Sequence, residues 1–172
     1  IDFAEKSRRY TLLDENILNE YPNLIVVKSI SKSYGVPGLR LGVLACSDEK
    51  YIMHIRKANS IWNINSFGEY FLQIYDKYNK TYAAACDSIA DERSRFSKRL
   101  KEIPSLTVFP SQANYILCRL TGAVKAEELA VKLLENYSIF IKDLSSKKCF
   151  EGGGYIRLAV RDQNDNDALI VA

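Results

Sequence analysis

One lysine, Lys32, stands in a run of hydroxyls and glycines, Ser29-Ile30-Ser31-Lys32-Ser33-Tyr34-Gly35-Val36-Pro37-Gly38-Leu39-Arg40-Leu41-Gly42. The run follows Leu24-Ile25-Val26-Val27, a short β-branched stretch of buried-strand type. In open α/β sheets ligands gather outside the carboxyl ends of strands, which is where such a loop falls. Hydroxyls, exposed backbone N–H groups and the planar guanidinium of Arg40 together make a phosphate cradle. An amine beside that cradle, partly desolvated, becomes a nucleophile toward a carbonyl. A phosphate-bearing aldehyde held next to a lysine is the chemistry of pyridoxal phosphate. The run is not a Walker A loop, because Ser31 replaces the required glycine and Val26 stands where the first glycine belongs. Spacing alone leaves the plainer reading open, a solvated lysine in a surface loop.

Other chemistries are excluded by counting. The single histidine, His54, forbids an HExxH zinc site, and a Ser-His-Asp triad would have to pass through it. Cys46, Cys86, Cys118 and Cys149 are widely spaced with no CxxC pair, so no metal site or redox couple is expected. Each reads as a small core hydrophobe, and scattered cysteines fit a reducing cytoplasm. The 172 residues are 47% hydrophobic and 26% charged, which suits a globular chain able to bury a core without staples. Lys and Arg total 24 against 21 Asp and Glu, and the resulting +3 is spread evenly, with no basic block for nucleic acid or an anionic membrane. Every apolar run stops well short of a membrane span, and the first residues do not read as a signal peptide.

The elements that must position Lys32 follow from periodicity. Thr11 to Glu20 reads as a helix, Leu24 to Val27 and Leu41 to Ala45 as strands, and a helix opens at Asp48 with Ile52, Ile55 and Ala58 on one side. Ser66 is a candidate N-cap for a helix whose Phe67, Tyr70, Phe71, Ile74, Tyr75 and Tyr78 form an aromatic stripe against a core. A helix from Ala84 to Ile103, continuous with that one except for a break near Asn79-Lys80, joins two lobes. Strands are expected at Leu106 to Phe109, Tyr115 to Cys118, Ile139 to Ile141 and Tyr155 to Val160, and helices at Ala126 to Asn136 and from Asp165. The triple glycine Gly152 to Gly154 reads as a flexible loop. Helices and strands alternate, so the class is α/β. Arg157, a charge inside an apolar strand, needs a partner or must face solvent. Arg161 and Asp162 read as exposed strand-end residues; Asn63 and Asn65, in the loop before the tyrosine helix, are placed to approach a substrate but read first as capping or turn residues. The chain opens in Ile1-Asp2-Phe3, like the tail of a strand, and stops in an apolar run, so it reads as a fragment of a longer protein.

Residues Ser29 to Gly42 resemble the lysine signature of class I and II aminotransferases at every fixed position. The form is similar to the histidinol-phosphate aminotransferase and threonine-phosphate decarboxylase branch. Ser111-Gln112-Ala113-Asn114-Tyr115 and Tyr155-Ile156-Arg157-Leu158-Ala159-Val160 continue the resemblance in the expected order. It implies fold type I, with residues 1–75 the end of the large pyridoxal-phosphate domain and 76–172 the small C-terminal α/β domain, its last helix truncated. It also implies that Lys32 holds pyridoxal 5′-phosphate as a Schiff base, and that Ser29, Ser31 and Arg40 hold the phosphate. Arg157 would bind the substrate α-carboxylate, with Asn114 near the active site. Ile1-Asp2-Phe3 resembles the end of an Asp-Glu-Ala-Phe-Ile-Asp-Phe type of sequence. The aspartate facing the pyridine nitrogen would then lie upstream, and Asp2 would be the second, non-catalytic acid.

The activity implied is transamination between an amino acid, of phosphorylated or histidinol-phosphate type, and a 2-oxo acid, in a cytoplasmic homodimer acting on small molecules. A decarboxylase on the same scaffold is the first alternative, since it needs only a rotated substrate. A non-catalytic module of a multidomain protein is the alternative from another class. The isolated chain is expected to turn over little or not at all.

Overall fold

Aspartate caps start two of the first helices. Asp14 accepts from the backbone N–H groups of Asn16 and Ile17 and opens α1 (Glu15–Glu20). The computed structural model describes residues 2–150 and 154–172. Helix α1 is shorter than the periodicity suggested, because the Thr11 hydroxyl holds Leu13 N–H in a turn and Asp14 then sets the start. Strand β1 (Val26–Ser29) runs into a four-residue helix, α2 (Ile30–Ser33), which carries Lys32. Strand β2 (Gly42–Ala45) pairs antiparallel with β1, Ser29 opposite Gly42 and Val26 opposite Ala45. The buried strand expected at Leu24 to Val27 therefore starts two residues later, and Val27 is 74% exposed. Its ladder has two strands among the described residues, and a lone pair leaves a face uncovered.

Asp48 caps α3 (Glu49–Ala58), with Ile52 and Ile55 half-buried and Ala58 exposed. The cap of α4 (Ser66–Ile74) is Asn65 and not Ser66: the Asn65 side chain accepts from Gly68 N–H. Of the aromatic stripe, Phe71, Ile74 and Tyr75 are half-buried while Phe67, Tyr70 and Tyr78 are exposed. A 3-10 turn, Tyr75–Tyr78, separates α4 from the 22-residue α5 (Asn79–Leu100), so the break falls just before Asn79-Lys80, near which it was expected.

The chain divides into two compact units within α5. One comprises Asp2 with Tyr10–Ala84; the other comprises Phe3–Arg9 with Ala85–Ala172. In the second, β3 (Leu106–Val108), β4 (Tyr115–Leu120), β5 (Lys142–Asp143) and β6 (Tyr155–Ala159) form an antiparallel sheet of order β3-β4-β6-β5. Alternation along β4 and β6 sends Ile116, Cys118, Ile156 and Leu158 into a core with Phe96 and Leu100 of α5. Ala126 and Leu133 of α6 (Ala126–Tyr137) complete it, and α7 (Gln163–Val171) packs Leu169 and Ile170 at its edge. Tyr115, Arg119, Arg157 and Ala159 occupy the other, open face.

Ile139 to Ile141 do not form a strand. Helix α6 ends at Ser138 in the left-handed region, and Ile139 N–H is spent on Leu133 O, so that peptide cannot join a ladder. The strand begins at Lys142 instead. Asp162 caps α7 by accepting from Asp165 N–H, so it is a cap and not a strand end. Gly154 has φ +44 and its carbonyl accepts from Leu120 N–H, while Gly152 and Gly153 lie outside the described residues. Cys86 and Cys118 are core residues, but Cys46 is half-buried and Cys149 exposed; burial pushes the Cys118 thiol up to about 12. No helix among the described residues is long and apolar enough to cross a membrane.

Candidate functional site

Ser29 ends β1 as the N-cap of α2, yet its hydroxyl makes no capping bond and the residue is exposed. Lys32 is exposed on α2 with no ion pair among the described residues, so these residues do not supply the desolvation expected for its amine. Arg40 is exposed too, and its guanidinium has no ion pair among the described residues. A hydroxyl, an ammonium and a five-donor fork are thus left uncommitted within one loop, a donor set that fits a phosphate and an aldehyde. Added Cβ atoms at Gly35 and Gly38 would meet nothing within 4 Å, so the loop is open on those sides. The residues present fit pyridoxal 5′-phosphate: Ser29 and Arg40 suit the phosphate and Lys32 the carbonyl carbon.

Ser31 differs from Ser29. It is 4% exposed, its hydroxyl donates to Leu41 O at 3.1 Å, and it accepts from Leu41 N–H at 2.6 Å. Its only proton is therefore committed to the loop. Arg40 sits in the left-handed region at φ 55 and ψ 39, a conformation that costs an L residue about 1–2 kcal/mol. Leu39 O accepts from Asn65 Nδ2 at 3.2 Å, so Asn65 serves the loop as well as the cap of α4. The Leu41 side chain lies against Gly68, where a Cβ would come within 3.0 Å of Leu41 Cδ2. Only glycine allows α4 to approach that closely. Asn63 is exposed.

Two further contacts hold this unit. Asp2 pairs with Lys28 Nζ of β1 at 2.8 Å, which commits its carboxylate to an ion pair. The Tyr34 ring, two residues beyond the lysine, stacks on Tyr82 at 3.9 Å and meets Phe71 and Tyr75 edge-on at 6.2 Å.

Arg157 and Asn114 belong to the other unit. Arg157 projects from the open face of β6, and its guanidinium lies 5.0 Å over the Tyr115 ring. No carboxylate pairs with it among the described residues. Lys142 on β5 stands directly opposite it, also exposed. Extending the apolar alternation of Ile139 and Ile141 by one residue would have placed Lys142 on the outer side. Asn114 is exposed, and its carbonyl accepts from Val160 N–H at 2.9 Å, which seats it beside the end of β6.

Arg93 is the residue the periodicity had signalled without being read. It falls in the stripe of Ile89, Phe96 and Leu100, is 4% exposed, and its Nη1 donates to Phe3 O and to Ala113 O. Burial pushes its pKa down from the ordinary arginine value. It ties the Phe3–Arg9 segment to the residue preceding Asn114. His54 is exposed, and no cluster of three or more metal-ligating side chains occurs among the described residues.

The chain is 34% identical over 175 residues to an L-serine phosphate decarboxylase from Sulfurospirillum multivorans, covering 100% of this chain and 44% of that protein. It is 30% identical over 181 residues to a histidinol-phosphate aminotransferase from Thermoanaerobacter pseudethanolicus, covering 99% of this chain and 49% of that protein. A solved structure of a decarboxylase from Sulfurospirillum multivorans superposes with a TM-score of 0.85 at 33% identity, over 99% of this chain and 49% of that one. The chain spans a little under half the length of these relatives, and its mixed helix and sheet architecture is a partial fold type I domain set. Residues 2–172 match the family described as aminotransferase class I and II, and the chain belongs to that pyridoxal 5′-phosphate-dependent family.

Proposed function

We propose that the full-length protein acts on a small amino acid bearing a second anion, a phosphate ester, and breaks a bond at its Cα. The observation that carries this is the pair Lys142 and Arg157, two cations directly opposed on an open sheet face with no carboxylate between them among the described residues. Like charges so placed repel, and an anionic group bound between them removes the penalty. A substrate with an α-carboxylate and a phosphate gives each cation an anion, Arg157 by its bidentate fork and Lys142 as a point charge.

When bound, pyridoxal 5′-phosphate supplies the electron sink that weakens the bonds at Cα. Ser29 and Arg40 would hold the phosphate of that cofactor, and Lys32 would stand at its aldehyde carbon. The Lys32 amine would hold and move the proton at the substrate Cα. Arg157 fixes the α-carboxylate and so selects which Cα bond is turned toward cleavage, with Asn114 beside it. A homodimer is part of this proposal, as is low turnover by the 172-residue chain alone.

Decarboxylation is supported by two relatives matched over nearly the whole chain, the L-serine phosphate decarboxylases from Sulfurospirillum multivorans and Campylobacter jejuni at 34% and 31% identity. Transamination is the second reading, supported by the 30% identical histidinol-phosphate aminotransferase. The test is to incubate full-length protein and cofactor with O-phosphoserine and assay carbon dioxide against keto acid. Carbon dioxide supports the first reading and keto acid the second. Neither product, with visible absorbance of bound cofactor unaffected by Lys32→Ala, overturns both.

A further inference from the structure

We propose that Ser31 is a positioning residue: acting through Leu41, it sets Arg40 for the phosphate and does not itself donate to it. The proposal rests on the cofactor reading above and deepens it, because the two serines of one motif then do different work. Ser29 has a hydroxyl without a capping bond at an exposed helix start. Ser31 is buried, and its single proton lies on Leu41 O. A phosphate oxygen can only accept from a hydroxyl, so Ser31 could serve it only by abandoning Leu41.

The Leu41 peptide is the loop's anchor. Its carbonyl accepts from Ile30 N–H at 3.2 Å and Ser31 N–H at 3.3 Å besides the Ser31 hydroxyl, and its own N–H donates to Ser31 Oγ. On the other side of Arg40, Leu39 O accepts from Asn65 Nδ2, and the buried Leu41 side chain packs on Gly68 of α4. Arg40 lies between these two pinned residues at positive φ. No hydrogen bond or ion pair of its own side chain imposes that conformation, since its guanidinium has none among the described residues. The strain is held by the neighbours, and the Ser31 hydroxyl makes two of the bonds that hold it. Removing the hydroxyl frees Leu41 N–H, lets Arg40 leave the left-handed region, and carries the guanidinium away from where the loop aims it.

The test compares full-length wild type with Ser31→Ala, Arg40→Ala and the double variant, titrating each with pyridoxal 5′-phosphate and with pyridoxal, which lacks the phosphate. A positioning role predicts that Ser31→Ala weakens the phosphorylated compound about tenfold in the wild-type background but less than about twofold once Arg40 is alanine. Pyridoxal binding should change less than about twofold. Hydrogen exchange of the cofactor-free protein should quicken at the Leu41 amide in Ser31→Ala and stay unchanged in Ser29→Ala. If Ser31→Ala does not fold, Asn65→Asp replaces it, since it keeps the cap on Gly68 N–H and loses the donor to Leu39 O. The same dependence on Arg40 is then expected. Additive losses of Ser31 and Arg40, with unaltered exchange at Leu41, overturn this proposal alone. Wild-type protein that binds neither compound overturns the cofactor reading and the proposal together.

Discussion

Lys142 of β5 stands directly opposite Arg157 of β6 on the open face of the sheet, with the Tyr115 ring under the arginine. Directly opposed strand residues bring their Cβ atoms within about 5.5 Å, so one bound dianion can face both charges. Replacing Lys142 by methionine keeps the stem and removes the charge. For a substrate carrying both carboxylate and phosphate, kcat/KM should fall about 10- to 100-fold, mostly through KM, the loss expected for one charge-assisted hydrogen bond. Stability should hold or rise slightly as the repulsion goes. Steady-state kinetics on the phosphorylated and unphosphorylated amino acid, with urea midpoints of both proteins, check this. An equal loss on both substrates would count against a phosphate contact.

Arg40 carries a backbone penalty that glycine does not. Arg40→Gly and Arg40→Ala both remove the guanidinium, but alanine keeps the cost of φ 55. Cofactor-free Arg40→Gly should therefore be about 1 kcal/mol more stable than Arg40→Ala, while both bind the phosphorylated cofactor far more weakly than wild type. Thermal unfolding of the two cofactor-free proteins measures the difference. Equal stabilities would mean that the loop relaxes when the side chain is lost.

The lysine loop was legible because its chemistry is local: hydroxyls, glycines and two cations fall within fourteen residues, and resemblance gave them roles. Caps were legible for the same reason, as at Asp48, although Asn65 displaced Ser66 because it could also reach Leu39 O. What was not legible depends on contacts distant in the chain. Nothing local shows that the Ser31 hydroxyl turns inward to a residue ten positions on. Arg93 stood in an apolar stripe, but its two carbonyl partners lie 90 and 20 residues away. Lys142 met Arg157 only once β5 had started one residue past the expected strand, a shift set by the left-handed end of α6 at Ser138.

The four thiols should separate by accessibility. Cys149 is exposed, whereas Cys86 and Cys118 are buried, and with its thiol pushed up to about 12 Cys118 has almost no thiolate at neutral pH. A thiol reagent should label Cys149 quickly in the folded protein, Cys46 more slowly, and the buried pair only on unfolding. Cys149→Ser should delete the fast phase, and a fast phase that survives it would contradict this assignment.

The α5–α7 contact should make the fold sensitive to acid. Arg95 grips Glu92 with two bonds of 2.8 Å and reaches Asp167 at 2.8 Å, while the buried Asn166 donates to Glu92 from α7. The Arg95 hydrogen bond is the main cause holding Glu92 below its usual range, with Asn166 adding to it, and the same guanidinium lowers Asp167. A carboxylate whose pKa is lower folded than unfolded stabilises the fold above the unfolded value, and that stabilisation disappears as pH falls through the folded one. Stability should therefore be level near neutrality and drop below about pH 4.5, where ordinary carboxylates begin to protonate. Glu92→Gln keeps an acceptor for Asn166 but loses the charge. At pH 7 it should cost about 1 kcal/mol, and at pH 3 less, because the unfolded wild-type carboxylate is then protonated and the advantage of its paired, ionised native form shrinks. Urea unfolding of both proteins from pH 7 to pH 3 reads the gap directly, and a gap that stays constant across that range would remove Glu92 from the acid response.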